Sequence, residues 1–314
     1  MTEADERETE PGETVAPASL TGRLLEFAQR LSARPQIHPA AGIAIALVLF
    51  VGSTVIAIRN LPPTDHGIRI LPLAFIAVLA WIGAIAIAGE FWVSGAILGH
   101  RVPFGHALRV AVIATAANVL PIPGAVIVRT RELNKLGSSY GRAISSTGTV
   151  GLGFVGTSLL LAGTVQTIAG PRRLFGVAMA IGGIVFVGAC FFAIRAMSER
   201  HHVRRLFWAV LGIETASVLL KAAAVGLAIY GVGYTVTLSQ MTTLAIAYVI
   251  ALAIGIFPAG LGITEILVAL LSPTVGLPAS VGLLSTAVRR IVELLAFSGL
   301  AIVIAVREVR AKRR

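Results

Sequence analysis

Seven ionisable residues lie inside long apolar stretches of this chain. Four are carboxylates and three are cations: Glu90, Glu214, Glu265, Glu293, Lys221, Arg289 and Arg290. A charge held in hydrocarbon costs about 2.5–3.5 kcal/mol on insertion scales, so each of these residues is expected to have a partner or a task. Carboxylates can hold an ammonium group, and a guanidinium offers bidentate donors to a phosphate. Together these residue types suit the binding of a polar headgroup.

The spacing of these charges predicts one cluster near the end of the chain. Glu293 lies four residues after Arg289 and therefore on the same helical face. Glu265 follows a segment that Pro258, Gly260 and Gly262 interrupt. We expect Glu265, one of the two arginines (Arg289 or Arg290) and Glu293 to lie together as a lipid-binding site. The alternative is a purely structural ion pair that pins this segment to the last span.

Other charges predict a second polar region. Glu214 and Lys221 are seven residues apart, which is two turns of one helical face, so they should point toward the same cavity. Whether they pair directly stays open. Glu90 lies near the end of its span and is interpreted as structural. Arg129 begins a basic run that extends to Arg142, and this run either collects anionic headgroups or only sets the topology.

Composition identifies the elements that must position these residues. The chain is 56% hydrophobic and only 13% charged, whereas soluble domains are about 25% charged. This predicts an all-α polytopic membrane protein with about six full spans, at 41–58, 71–98, 143–166, 174–195, 206–232 and 279–306. The net charge of +11 lies mostly in short segments between spans, a pattern that indicates topology and contact with anionic lipid rather than nucleic acid.

Two further apolar stretches are interrupted, at 105–128 and 241–271. The interrupting residues and their neighbours are Asn118, Pro121 and Gly124 in the first, and Pro258, Gly260 and Gly262 in the second. Because the basic segments should all be cytoplasmic, each stretch must enter and leave on one side as a broken re-entrant hairpin. Each half, 40–166 and 174–306, then crosses three times, which makes an inverted repeat and marks the broken segments as a transport site. Alternatively, Pro258 only kinks an ordinary span.

The remaining segments complete the predicted organisation. Residues 1–20 are acidic and rich in Pro, Gly and Thr, which indicates a disordered tail. Residues 21–37 should form an amphipathic interfacial helix. The transmembrane domain is expected at 40–306, with a basic cytoplasmic tail at 307–314 and both termini cytoplasmic in the cell (inner) membrane. The single cysteine predicts no metal site, and no cofactor is expected.

The stretches "FPAGLGITE" and "LSTAVRRIVELL" resemble the lysylphosphatidylglycerol synthase transmembrane-region family. The matching positions are Pro258, Gly260, Gly262, Glu265 and Arg289 or Arg290. The stretch "ANVLPIPGAVIVRTRELNKLG" is similar to the family's earlier pattern through Asn118, Pro121, Gly124, Arg129 and Gly137. In bifunctional members this region is regarded as the flippase for aminoacylated phosphatidylglycerol, so the resemblance implies lipid binding or translocation. Only eight residues follow the last predicted span, so we expect no aminoacyl-transferase domain.

These observations favour a flippase-like transporter for a polar or charged lipid, with membrane lipids as its partners. No ATP-binding loop is present in the sequence, so a gradient, the membrane potential or downhill flow would drive transport. A membrane scaffold for a partner synthase is the alternative, and homo-oligomerisation stays open. A lipid-phosphate enzyme is less favoured, because no nucleophile or acid–base arrangement is visible in the sequence. We therefore expect no enzymatic activity.

Overall fold

The computed structural model describes residues 69–117, 124–198, 202–254 and 263–313, together with Gly52, Val55 and Arg59. Contacts divide the chain into two units, Met1–Pro39 and Ala40–Arg314, and every described residue belongs to the second. The predicted tail 1–20, the predicted helix 21–37 and nearly all of span 41–58 lie outside the described residues. So do five of the predicted site residues: Asn118, Pro121, Pro258, Gly260 and Gly262.

Regular structure in the described ranges is entirely helical. Nine α-helices follow one another, with a short 3₁₀ turn at Ser272–Val275 before the last. They are α1 (Ile70–Ile97), α2 (Phe104–Ala117), α3 (Gly124–Lys135), α4 (Tyr140–Ala169), α5 (Arg173–Met197), α6 (Val203–Gly231), α7 (Leu238–Ile254), α8 (Ile263–Leu271) and α9 (Ala279–Arg313). Four of them, α1, α4, α5 and α6, are long and apolar enough to cross a membrane.

The helices follow the predicted spans closely. The four long helices begin and end within about three residues of the predicted bounds. The last helix is longer than predicted, because α9 continues through the basic tail to Arg313. The two interrupted stretches each contain two helices, α2 with α3 and α7 with α8, whose facing ends lie on either side of undescribed residues. Helix α3 also continues past Arg129 to Lys135.

Left-handed glycines end helices at corresponding places in the two halves. Gly99 (φ 83°) follows α1 and Gly233 (φ 95°) follows α6, and α2 and α7 each begin five residues after their glycine. Gly137 (φ 100°) and Gly276 (φ 79°) precede α4 and α9, which each begin three residues later. Glycine is favoured at such positions because positive φ carries no Cβ penalty for it. The chain order α1–α4 therefore recurs as α6–α9.

Helix packing has the same correspondence. Within the first set α1 packs on α2, α2 on α3, α3 on α4, and α1 on α4; α6–α9 repeat all four contacts. Across the sets, α4 packs on α6 and α7 while α9 packs on α1 and α2. Each set also has its own apolar core, centred on Phe91, Val110 and Leu133 in the first and on Ile229, Leu244 and Val268 in the second.

The most extensive helix pair, α4 with α5, is built on four glycines that we call the glycine seam: Gly156, Gly163, Gly176 and Gly183. A Cβ at Gly163 would lie 2.7 Å from the carbonyl oxygen of Gly176, and one at Gly183 would lie 2.8 Å from that of Gly156. Small residues let helix backbones approach closely, which is how helices associate in membranes.

Large apolar side chains cover the outward faces of the long helices. On α5, Ile181, Ile184, Val185 and Phe192 are each more than half exposed, and on α1 so is Trp81. Exposed apolar surface of this extent is unusual for a soluble monomer. It is the surface that a hydrocarbon environment requires.

Candidate functional site

Glu265 and Arg290 form a buried ion pair between α8 and α9. The Arg290 Nε lies 3.1 Å from the Glu265 Oε1, and both side chains are at least nine-tenths buried. The Nη2 of Arg290 also donates to the Thr264 hydroxyl, at 3.2 Å. Glu265 lies in the first turn of α8, where the positive end of the helix dipole stabilises a carboxylate. This pair fastens the start of α8 to the last helix.

Arg289, the preceding residue, points to a different neighbour because successive helical residues diverge by about 100°. Its Nη1 pairs with Glu293 one turn later, and its guanidinium carbon lies 4.0 Å from the centre of the Tyr248 ring on α7. The side chain is buried, yet its Nε and Nη2 have no hydrogen-bond partner among the described residues. The Tyr248 hydroxyl is likewise buried without a partner there. Three buried donor groups at this position therefore have no acceptor among the described residues.

These contacts resolve the predicted cluster into two ion pairs. Glu265 pairs with Arg290, and Glu293 pairs with Arg289. We call these four residues, with Thr264 and Tyr248, the α8–α9 charge cluster. Pro258, Gly260 and Gly262, which the sequence predicted beside Glu265, lie outside the described residues.

A second group of charges connects α1, α3 and α6. The Arg129 Nη2 lies 2.9 Å from the Glu90 Oε2, with about one-eighth of each side chain exposed. Glu214 of α6 is fully buried, and the charges of Glu90, Lys221 and Arg129 all act on it. Lys221 does not pair with Glu214 in a salt bridge; its Nζ lies 4.9 Å above the Phe154 ring of α4. We call Glu90, Arg129, Glu214 and Lys221 the α1–α3–α6 charge cluster.

Gly124, the remaining predicted site residue that the structure describes, begins α3 and is buried. Five residues along the same helix, Arg129 makes the contact with Glu90. Across the parts of the chain that the structure describes, no three His, Cys, Asp or Glu residues are grouped as metal ligands.

Sequence reasoning missed the aromatic partners of the cations. Tyr248 lies under the buried Arg289 guanidinium, Phe154 lies under the half-buried Lys221 ammonium, and Thr264 accepts a hydrogen bond from Arg290. None of these three residues is charged, and each comes from a different helix from its partner. The only signal in the sequence is a polar or aromatic residue within an otherwise aliphatic segment.

An apolar cavity of about 540 Å³ lies between α6 and α7. Its lining includes Ala222, Gly226, Leu227, Tyr230 and Met241. Ala222 directly follows Lys221 on α6, so the cavity adjoins the helix that carries the α1–α3–α6 charge cluster. Such a groove is suited to a hydrocarbon chain.

The long apolar helices, the exposed aliphatic faces and the buried charge pairs define a polytopic helical membrane protein. A comparison with protein-family models matches residues 39–301 to the family described as the lysylphosphatidylglycerol synthase TM region. The match covers most of the chain, so the chain belongs to this family, which confirms the resemblance of its motifs. A comparison with curated proteins finds no match.

Replacing Arg129 by Gln should lower the free energy of unfolding by about 1–3 kcal/mol, because Glu90 would keep a mostly buried carboxylate without its cation. Arg131 lies on the same helix with an exposed side chain, so Arg131→Gln should change stability by no more than about 0.5 kcal/mol. Unfolding of both variants in mixed micelles with increasing dodecyl sulfate measures the difference. Equal stability of the two variants would show that the Glu90–Arg129 pair contributes little.

Proposed function

We propose that this protein binds a lipid with a polar or charged headgroup and moves it between the two leaflets of the membrane. The observation that carries the proposal is the buried Arg289 guanidinium with two unpartnered N–H groups beside the unpartnered Tyr248 hydroxyl, among the described residues. A buried donor without an acceptor costs about 1–3 kcal/mol. A lipid phosphate supplies the missing acceptors, and a guanidinium binds phosphate with two parallel hydrogen bonds.

In this proposal a neighbouring carboxylate determines which headgroup the site selects. Glu293 lies against Arg289 and is about one-quarter exposed, so it is the carboxylate of this cluster within reach of a ligand. A headgroup that joins a phosphate to an ammonium would satisfy Arg289 and Glu293 at once. The acyl chains would stay in the apolar surroundings, of which the cavity between α6 and α7 is an example.

The repeated helix order supports a transport mechanism. In this proposal the interrupted segments between α2 and α3 and between α7 and α8 are re-entrant hairpins, and the two sets of helices have opposite orientation in the membrane. Backbone that is not helical can exist at membrane depth only where protein or a wet cavity surrounds it. Rocking of one set against the other about the headgroup site would expose it to alternate sides. Both termini would face the cytoplasm, since the basic segments lie on that side.

Reconstitution tests the proposal directly. Vesicles that contain the protein and trace lipids with a fluorescent tail and different headgroups (anionic, zwitterionic and aminoacylated) report transbilayer movement as loss of fluorescence to an external quencher. We expect the wild type to accelerate one headgroup class, and Arg289→Gln to slow that acceleration roughly tenfold or more. The control is Arg205→Gln, which removes the same charge from an exposed position on α6.

Lipid bound after purification provides the second measurement. Mass spectrometry should find one polar lipid enriched on the wild type and on Arg205→Gln, and depleted on Arg289→Gln. Arg289→Lys keeps the charge but lacks the planar fork, so it should retain less of this lipid than the wild type. If no headgroup class moves faster and all preparations carry the same bulk lipid, the cluster is a scaffold and the transport proposal fails.

A further inference from the structure

Glu214 is the most unusual polar group in the described part of the molecule. Its carboxyl is fully buried in α6, and neither oxygen has a hydrogen-bond partner among the described residues. Every other carboxylate in the two charge clusters has an ion-pair partner: Glu90, Glu265 and Glu293 each pair with an arginine. A buried carboxylate without donors is far more costly than the neutral acid, which needs no counter-charge.

Helices α4 and α5 pack around Glu214 and restrict which ligand could reach it. A Cβ built at Gly153 of α4 would lie 3.7 Å from the Glu214 Cγ and 3.4 Å from the Cys190 Sγ of α5, so both helices close over the side chain. Glu90 of α1, Arg129 of α3 and Lys221 of α6 supply the charges that act on it. Space this tight admits no headgroup. The smallest cation, a proton, needs no cavity.

We propose that Glu214 is a proton-binding site and that the protein carries a proton through it during the transport cycle. This inference rests on the proposed function and adds a coupling ion to it. The proton is taken up from water on one side, held as the neutral carboxylic acid, and released to water on the other. The only bond that forms and breaks is the O–H bond of the carboxylic acid.

The surrounding charges explain how proton loss would change the conformation. Once Glu214 is ionised it needs a cation, and two are near: the Lys221 ammonium now over Phe154, and the Arg129 guanidinium now on Glu90. Recruiting Lys221 repacks the α4–α6 contact, and recruiting Arg129 opens the α1–α3 pair. Helices α4 and α6 pack directly on each other, and α1 and α3 both pack on α2 and α4. Protonation and helix packing are therefore linked, which is the requirement for coupling.

Infrared difference spectroscopy of the reconstituted protein, recorded across a pH series, tests the site without any lipid substrate. The wild type should show the carbonyl band of a protonated carboxyl that disappears as the pH rises. Glu214→Gln should lose that band. Glu132→Gln, which removes a carboxylate from an exposed ion pair with Lys135, should retain it. A wild-type spectrum identical to that of Glu214→Gln would overturn the proposal.

A second variant tests the proposal independently if Glu214→Gln fails to fold. Lys221→Gln should shift the pH range over which the band disappears, because a nearby charge has been removed. Arg205→Gln is the matched control and should leave that range unchanged. A band that is insensitive to Lys221→Gln would overturn the re-pairing step.

Transport assays then separate the two proposals. With a pH gradient across the vesicles, the wild type should accumulate the transported lipid in one leaflet. Glu214→Gln should distribute the lipid equally between the two leaflets. If lipid moves but ignores the gradient in the wild type, proton coupling fails and the proposed function stands. If the infrared band behaves as expected and no lipid moves, the proton site stands and the proposed function fails.

Discussion

Replacing Glu265 by Gln should lower the free energy of unfolding by about 3–5 kcal/mol, because it leaves Arg290 as a buried charge without its counter-ion. Both partners are buried, and Arg290 also holds the Thr264 hydroxyl. Arg290→Gln should cost a similar amount, because it removes the cation from a fully buried carboxylate. Unfolding in mixed micelles with increasing dodecyl sulfate measures both variants.

The double variant Glu265→Gln/Arg290→Gln completes a double-mutant cycle, which separates the interaction energy of the pair from the effect of removing either residue alone. Two neutral amides leave no buried charge at either of these two positions, so the double variant should be more stable than the sum of the single effects predicts. The exposed pair Lys135–Glu132 on α3 provides the control cycle, since its lysine is more than half exposed. Its coupling energy should not exceed about 1 kcal/mol. Equal coupling energies in the two cycles would contradict a buried, tightly held pair.

Exchanging the charges gives a further test of the same contact. The variant Glu265→Arg/Arg290→Glu keeps one cation and one anion but places the cation in the first turn of α8. A positive charge there opposes the helix dipole, at a cost of about 0.3–1 kcal/mol. The exchanged pair should therefore recover most, but not all, of the stability that either single change removes.

We expect a second large loss of stability when one methyl group is added to the glycine seam. Gly163→Ala should lower the free energy of unfolding by about 1–3 kcal/mol or more, because overpacking forces the backbones apart. The added Cβ would meet backbone atoms of Gly176 and Ala180, and these cannot rotate out of the way as a side chain can. Unfolding in mixed micelles again provides the measurement.

Gly151→Ala is the matched control for the seam. It lies on the same helix, and its added Cβ meets no atom of the described residues within 4 Å. Replacing glycine by alanine in a helix with free space stabilises it by about 0.5–1 kcal/mol. Gly163→Ala should thus lower the free energy of unfolding, whereas Gly151→Ala should raise it. A stabilising Gly163→Ala would mean that the backbones of α4 and α5 leave room for a Cβ at this position.

The helical spans could be predicted from the sequence because apolar length depends on local composition alone. The spans predicted to start at positions 71 and 174 correspond to helices that begin one residue earlier, at Ile70 and Arg173. The end of α9 was less predictable: the basic tail marks where the membrane ends, and a helix can continue past that point. Helices α2 and α3 were expected as parts of one broken segment, and residues 118–123 between them lie outside the described residues.

Pairing of the charges could be predicted only where both partners share a helix. Arg289 and Glu293 are four residues apart, so helical geometry alone places them together. Glu90 and Arg129 are 39 positions apart, and their contact depends on how α3 packs against its neighbours. The choice between Arg289 and Arg290 as partner of Glu265 depends on the rotation of α9 about its axis. Nothing in the local sequence determines that rotation.

The left-handed turns at Gly99 and Gly233, and at Gly137 and Gly276, have a consequence for the conformations open to the molecule. The two sets of helices share one chain order and one pattern of packing but differ in sequence. If they exchange shapes, every contact between helices is replaced by its counterpart, and the list of packed pairs among α1–α4 and α6–α9 is unchanged. In the transport cycle proposed above, this exchange would give a second conformation, open to the opposite side, with the same packed pairs.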